Sequence, residues 1–439
     1  MKKQIDIPIH NRQLSYLIKD YYSLKDVREI FSLLEKNNTF YFPILTNGLF
    51  PAANLQEATQ YTGYGNVWVR DNIYVDLAHQ INGHTEVTLR NIKTLAEYFI
   101  KHKWRFEKII AGALDHNNPM NRPHIRFNGE DLSEINPKWA HAENDALGYF
   151  LWLFCRIHNR MDIGITDKEK ELLTLFALYL EAIRYWEDED SGHWEESRKI
   201  EASSIGIAVG GLAEFKNMLQ KEDAQTFSYH GKTISNAFLD FLITKGKDSL
   251  QQILPSESIQ SDRGKNRRFD AALLFLIFPI DVVSQKMADQ ILYDVMHNLQ
   301  GNYGIHRYLG DSFWSADYKD KLKPEERTID FSDNIARRDS LLKKGQEAQW
   351  CIFDPIISVI YGLKYQTSRQ EEHLKLQIRY FNRSLGQLTG ENCPFGTFKC
   401  PELFYLEKGQ YVPNDTVPLL WTQANLWMAF KVMNDSLKF

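Results

Sequence analysis

The chain has 439 residues, 43% of them hydrophobic and 25% charged, with a formal net charge of -5. This balance is ordinary for a globular protein. It argues against a nucleic-acid partner, which needs a basic footprint, and suits a neutral ligand. No apolar run reaches 18 residues, so no membrane-spanning helix is expected. The opening stretch has two lysines but no continuous apolar core, so it does not read as a signal peptide and a cytoplasmic location is expected. Four cysteines do not make a disulfide framework. Cys155 and Cys351 sit in apolar stretches and read as reduced core thiols. Cys393 and Cys400 are expected to stay unpaired.

Apolar residues recurring at three and four positions predict twelve helices, over 25–37, 69–82, 85–108, 143–160, 167–187, 202–219, 232–244, 269–277, 286–300, 346–363, 370–388 and 419–434. Long gaps follow every odd-numbered one: 38–68, 109–142, 188–201, 245–268, 301–345 and 389–418. In an array of up-and-down helices, alternate connections lie at opposite ends. The long loops therefore gather on one rim. Loops beyond about 12–15 residues are usually functional or disordered, and six on one rim point to a site. No Gly/Ser-rich or Pro-rich linker interrupts the pattern. One helical domain is expected over 1–439, with 1–24 as an N-terminal extension.

The motif search is mostly negative. There is no P-loop, no G-x-G-x-x-G opening a helix, no H-E-x-x-H and no G-x-S-x-G elbow. The 13 histidines, His102 and His116 among them, have no metal-ligand spacing. No metal or cofactor is expected, and carboxylate chemistry leads.

The rim residues follow in chain order. The first long loop ends in Trp68, Arg70 and Asp71. Asp71 reads either as a helix N-cap or, with Arg70, as a clamp for the hydroxyls of a polyol. The second loop brings Trp139, then Asn144 and Asp145 at a helix start. The third carries Trp194, Glu195 and Glu196. Such an acidic run is usually a solvated surface. Here the aromatic could desolvate one carboxyl and the neighbouring carboxylate raise its pKa further, which is how a general acid keeps its proton. Ser203 and Ser204 would cap the next helix. The fifth loop holds Arg307, Tyr308, Asp311 and Trp314. Rim tryptophans such as 139 and 314 stack on sugars as often as they fill cores. The sixth loop has Glu391, Glu402 and Glu407, of which Glu402, among Pro401, Leu403, Phe404 and Tyr405, is the one expected to be partly buried.

Seven segments together resemble the glucoamylase-like family 15 glycoside hydrolases. They are Val67–Tyr74 (VWVRDNIY), Ser191–Glu196 (SGHWEE), Glu201–Gly206 (EASSIG), Phe269–Leu274 (FDAALL), Leu299–Tyr308 (LQGNYGIHRY), Pro401–Phe404 (PELF) and Val417–Gln423 (VPLLWTQ). They stand in the family's order. Within that family the likeness is to the hydrolase-like N-terminal domains of phosphorylase kinase alpha and beta subunits. The resemblance implies an all-α fold, an (α/α)6 barrel with its long loops on one rim. It puts Glu195 at the general acid and Glu402 at the general base of an inverting reaction. It implies that Arg70 and Asp71 hold the non-reducing glucose, with Trp139, Trp194, Glu196 and Arg307 around the same sugar.

Two departures bear on the substrate. The Pro-Glu-Leu setting of Glu402 follows the phosphorylase kinase version, and the sequence lacks that protein's calmodulin-binding extension and any starch-binding module. A short soluble α-glucoside or oligosaccharide is therefore the expected partner, and calmodulin is not. The competing expectation is a catalytically silent carbohydrate-binding or regulatory module. A trehalase-like barrel would share the architecture, but its signature runs are absent.

Overall fold

The protein is described by a computed structural model covering residues 7–161, 163–222 and 226–438. The first six residues of the expected N-terminal extension, with the lysines of the opening stretch, lie outside the described residues. Its helices are α1 (Arg12–Leu17), α2 (Leu24–Lys36), α3 (Val69–Ile81), α4 (Thr85–Lys101), α5 (Trp104–Ile110), α6 (Asn144–Met161), α7 (Asp167–Ala182), α8 (Ala202–Leu219), α9 (Asn236–Ile253), α10 (Gln285–Asn298), α11 (Tyr318–Lys321), α12 (Ile335–Asp339), α13 (Phe353–Ser368), α14 (Glu371–Gly386) and α15 (Leu420–Ser436). A 3₁₀ stretch, Ala271–Leu276, takes the place of the expected eighth helix. Asp270 starts it by accepting from the Ala272 amide. It cannot run on because Pro279 follows, and the residue before a proline avoids the helical region.

Two kinds of helix alternate. The helices α3, α6, α8, α13 and α15 and the 3₁₀ stretch are buried on nearly every side. The helices α2, α4, α9 and α10 bury one stripe and expose the rest, while α7 and α14, also outside the ring, are exposed mainly in their first turns, α7 being covered by α5 and the segment 228–229. All-round burial marks an inner element and a single stripe an outer one. The inner six contact one another in sequence order, and α15 returns to contact α3. The ring is closed, and the outer helices lie against it: the fold is an (α/α)6 barrel. Its apolar side chains form one contiguous core from Leu14 to Met433.

The long loops each lead from an outer helix to an inner one. All six inner elements consequently point their N-termini at the same rim. At α6 and α8 a loop carboxylate satisfies first-turn amides, as helix N-termini require. Asp190 Oδ2 accepts from Asn144 N at 3.0 Å. Glu257 accepts from the amide and hydroxyl of Ser203. Ser203 and Ser204 therefore lie inside the first turn of α8 and do not cap it; the capping carboxylate comes from another loop.

The loops also carry small antiparallel sheets that the helical periodicity does not reveal. Strands β1 (Val67–Trp68), β2 (Arg126–Asn128) and β3 (Ser133–Glu134) join the first two long loops. Strands β4 (Ser228–Tyr229) and β5 (Lys232–Thr233) form a hairpin on the opposite rim's connection. Strand β6 (Gln349–Trp350) pairs with β7 (Leu403–Glu407), which pairs with β8 (Gln410–Pro413). The region 346–352, expected to be helical, is thus a strand and turn that tie the fifth loop to the sixth. All four cysteines are free.

Candidate active site

A cavity opens at the loop-bearing rim. Its floor is built from first-turn residues of inner helices, Arg70 and Asp71 of α3 and Trp421 of α15. Its sides are Trp68, Trp139, Trp194, Glu195, Arg307 and Glu402. The centre of a water-sized sphere can sweep about 80 Å³ of it, room for several waters since one needs about 10–15 Å³. The loops bearing Glu195 and Glu402 precede α8 and α15. These are three steps apart in a six-membered ring, so the two carboxyls enter from opposite sides of the barrel.

Arg70 organises the floor. Its Nη1 donates to Glu143 Oε2 at 2.9 Å and Asp145 Oδ2 at 3.1 Å, and its Nη2 to Glu195 Oε1 at 3.0 Å. One planar guanidinium thereby fixes α3, the start of α6 and the third loop, a task suited to its forked donors. Asp71 is not an N-cap: it lies in the third position of α3, and Trp68 stands at the cap. Burial pushes its carboxyl up to about 7; Arg70 opposes this and the charges of Glu195 and Glu402 add to it.

Glu195 follows the 3₁₀ turn Gly192–Trp194 with a left-handed backbone, φ 56°. Such a conformation is strained for a residue with a side chain, and strain of this kind clusters at functional positions. Its Oε1 accepts from Trp68 Nε1 at 2.8 Å and from Arg70. Burial raises its pKa; Arg70, Arg126 and the Trp68 bond work against the shift and Asp145 works with it. The expected direction is therefore present but its sources differ from the expected ones. Trp68, not Trp194, touches the carboxylate, and Asp145, not Glu196, is the anionic neighbour. Trp194 lines the cavity with its face while its Nε1 donates to Asp270 Oδ1 at 2.9 Å.

Glu196 does not face the cavity. It is buried in a cage of Arg267, Arg307, Arg338 and Tyr308, with Nη2 of Arg307 at 3.1 Å and Tyr308 Oη at 2.7 Å. Burial works against its charge, yet Arg307, Arg338 and Arg267 together hold its carboxyl well below the ordinary range. Arg307 is oriented by Asp311 as well, through Nε at 2.7 Å and Nη2 at 2.6 Å. Tyr308 and Asp311 are thus positioning groups beneath the wall. Trp314, expected on the rim, is fully buried against Tyr318 and Tyr405. Asn144 binds Asp188 at 2.9 Å and Asp145 serves Arg70, both below the floor.

Glu402 is 2% exposed. Tyr64 Oη donates to its Oε1 at 2.8 Å and Asn414 Nδ2 donates to its Oε2. Burial pushes it up to about 7 against these bonds and the charge of Arg307. Glu391 is exposed, and Glu407 lies in the β7–β8 hairpin bonded to Tyr405.

Tyr64, Glu143, Asn414, Trp350, Trp421 and Arg338 escaped the sequence reading. Only Trp421 lay in a segment named above, Val417–Gln423, where no role was assigned to it. The others depend on loop courses that periodicity does not encode. The Nε1 groups of Trp139, Trp350 and Trp421 and Nε of Arg70 have no hydrogen-bond partner among the described residues. Among those residues no cluster of His, Cys, Asp or Glu could hold a metal ion, and no helix is long and apolar enough to cross a membrane.

Known proteins share this architecture. A glycosidase variant solved in complex with glucose superposes with a TM-score of 0.62 at 15% identity, covering 94% of this chain and 98% of that one. Glucoamylase from Saccharomycopsis fibuligera gives a TM-score of 0.57 at 13% identity over 95% and 99% of the two chains. The liver isoform of the phosphorylase b kinase regulatory subunit alpha from Mus musculus is 22% identical over 283 residues, 56% of this chain and 21% of that subunit. This chain thus spans about a fifth of that relative's length. The profile of the glycosyl hydrolases family 15 matches residues 39–302, which include Arg70 and Asp71 of the cavity floor, Glu195, Glu196 and Arg267. The chain belongs to the glycosyl hydrolases family 15.

Proposed function

We propose that the protein is an inverting, exo-acting hydrolase of short α-glucosides, with Glu195 as general acid and Glu402 as general base. The observation that carries this reading is the pair itself. Two carboxyls from opposed loops share one small cavity, and burial raises the pKa of both. Inversion needs two carboxyls with a water between them.

The roles follow from the bonding. Only Oε1 of Glu195 accepts hydrogen bonds from Trp68 and Arg70, which leaves Oε2 to carry the proton given to the glycosidic oxygen. Both oxygens of Glu402 accept from neutral donors, an arrangement that supports the ionised form of a base. Glu402 would draw a proton from water as that water attacks the sugar carbon. The floor suits a polyol: Asp71 offers acceptor oxygens, while the unpartnered indole and guanidinium N–H groups offer donors. A pocket this small takes the end of a chain rather than its middle.

Purified protein screened for glucose release from maltose, isomaltose, trehalose and small polyol glucosides tests the reading. Proton NMR should show β-glucose before mutarotation. Glu195→Gln and Glu402→Gln should each slow turnover by about 10² or more. Release of α-glucose first, or near wild-type turnover by either variant, would falsify the assignment.

A second reading has its own support in the likeness to phosphorylase b kinase regulatory subunits. It makes the domain a sugar-binding regulatory module that turns nothing over. Saturable binding of glucose or maltose with no release from any glucoside would establish it.

A further inference from the structure

The cavity has a mouth as well as a floor, and the mouth is closed on one side by Thr328–Phe331 of the fifth long loop. This strap is tied down on both flanks. Arg327 Nη1 donates to Tyr61 Oη at 3.2 Å, and Ser197 Oγ donates to Ser332 O at 2.9 Å. Further along the same loop, Arg338 is fixed to Glu196.

Within the strap, Asp330 stands out. Its side chain is 4% exposed and lines the cavity. Oδ1 accepts from the Ser332 amide at 2.7 Å, which holds the local turn. Oδ2 is buried without a hydrogen-bond partner among the described residues. Lys138 Nζ stands 3.6 Å from it in an ion pair, while the hydrogen bond of that ammonium goes to Asp333. The ion pair answers the charge, but a buried carboxylate oxygen also calls for a hydrogen-bond donor, and this one has none among the described residues.

Position indicates what supplies it. Arg70, Asp71 and Trp421 lie at the bottom, in first turns of inner helices, whereas the strap residue Ile329 is 43% exposed. A sugar seated by its non-reducing end on the floor turns its leaving group toward the strap. The arginines nearby do not call for an anion, because Glu196 and Asp311 already answer Arg307 and Arg338. What remains on this wall is one acceptor without a hydrogen-bond donor, Asp330 Oδ2.

We infer that Asp330 recognises the leaving group, by accepting a hydrogen bond from one of its hydroxyls, and that the strap selects a short, neutral, polyhydroxylated leaving group such as a second sugar ring or a small polyol. This rests on the hydrolase reading above and adds a specificity residue to it.

The test compares wild type, Asp330→Asn and Asp330→Ala on two probes. One is the disaccharide or polyol α-glucoside that wild type cleaves fastest. The other is α-glucosyl fluoride, whose leaving group is a single atom with no hydroxyl. Asp330→Asn keeps the bond from Ser332 but replaces the free oxygen by an amide nitrogen that cannot accept, so the strap retains its turn. Both variants should lose about tenfold or more in kcat/KM on the hydroxylated probe and less than about twofold on the fluoride. Equal losses on both probes, or no loss on either, would overturn the role of Asp330 while leaving the hydrolase reading intact. A wild type that releases glucose from neither probe would overturn both.

Discussion

Tyr64 ties the proposed base to its working state. Burial and the nearby charge of Glu402 push its phenol far above the ordinary value, so it stays a donor. Its bond lowers the pKa of Glu402, which burial has raised to about 7. Tyr64→Phe should therefore move the acid limb of the kcat/KM profile to higher pH, because Glu402 must be ionised to act. A profile unmoved by the substitution would show that another group sets that limb. The Glu196 cage yields a second expectation. Glu196→Gln removes the anion that Arg267, Arg307 and Arg338 share and leaves Arg338 with neutral hydrogen-bond partners for its buried charge. Breaking such a pair costs on the order of 3–5 kcal/mol, readable by urea denaturation. The sequence exposes part of this. Glu402 stands out because apolar residues surround it, and Glu195 because of the aromatic before it. The outward turn of Glu196 is not legible, since it depends on arginines 71 to 142 positions away in the chain.

At the scale of elements, the closest packing in the barrel is between α6 and α8. A Cβ on Gly148 would stand 2.8 Å from the Ala208 amide nitrogen, and one on Gly211 the same distance from the Gly148 carbonyl. Backbone on both sides leaves nothing to swing aside. Gly148→Ala should lower stability by about 1–3 kcal/mol through overpacking, seen as a lower denaturation midpoint with an unchanged slope. The strained Glu195 precedes α8, so the same variant should lose activity before it unfolds. The twelve helical positions were legible because an inner helix is apolar all round and an outer one on a stripe. Four of them were altered by tertiary context. The seventh, expected over 232–244, starts only after strand β5 and runs on to Ile253 as α9, into the expected long gap. The expected 85–108 helix breaks into α4 and α5, and the eighth position tightens to 3₁₀. At the tenth, the apolar run over 346–352 pairs as strand β6, which periodicity alone cannot tell from a buried helix turn.

For the molecule as a whole, the buried carboxyls set a pH dependence of stability. Asp71, Glu201 and Glu402 are all pushed up to about 7 by burial. Their folded pKa values exceed the unfolded values of about 4, so between those limits the native state holds more protons than the unfolded chain. The contribution of these three carboxyls must then fall as pH rises from about 4.5 through 7, against the buried histidines His79, His124 and His193, whose lowered values make their own contribution rise between about 4 and 6.5. Asp71→Asn and Glu402→Gln should flatten that fall and raise stability above pH 7, by on the order of 1–3 kcal/mol each, while abolishing or impairing turnover. A variant with wild-type pH dependence would contradict the burial of that charge. The closed ring has a further consequence, for the order in which the protein is made. Helix α3 has no lateral neighbour on one side until α15 exists, and the two lie about 340 residues apart in a chain synthesised at roughly 5–20 residues per second. Its apolar flank must wait tens of seconds on the ribosome for its partner. The nascent barrel is an open arc with two sticky edges, and a chaperone that shields α3 until α15 emerges would raise the yield of active protein more than one acting on the finished chain.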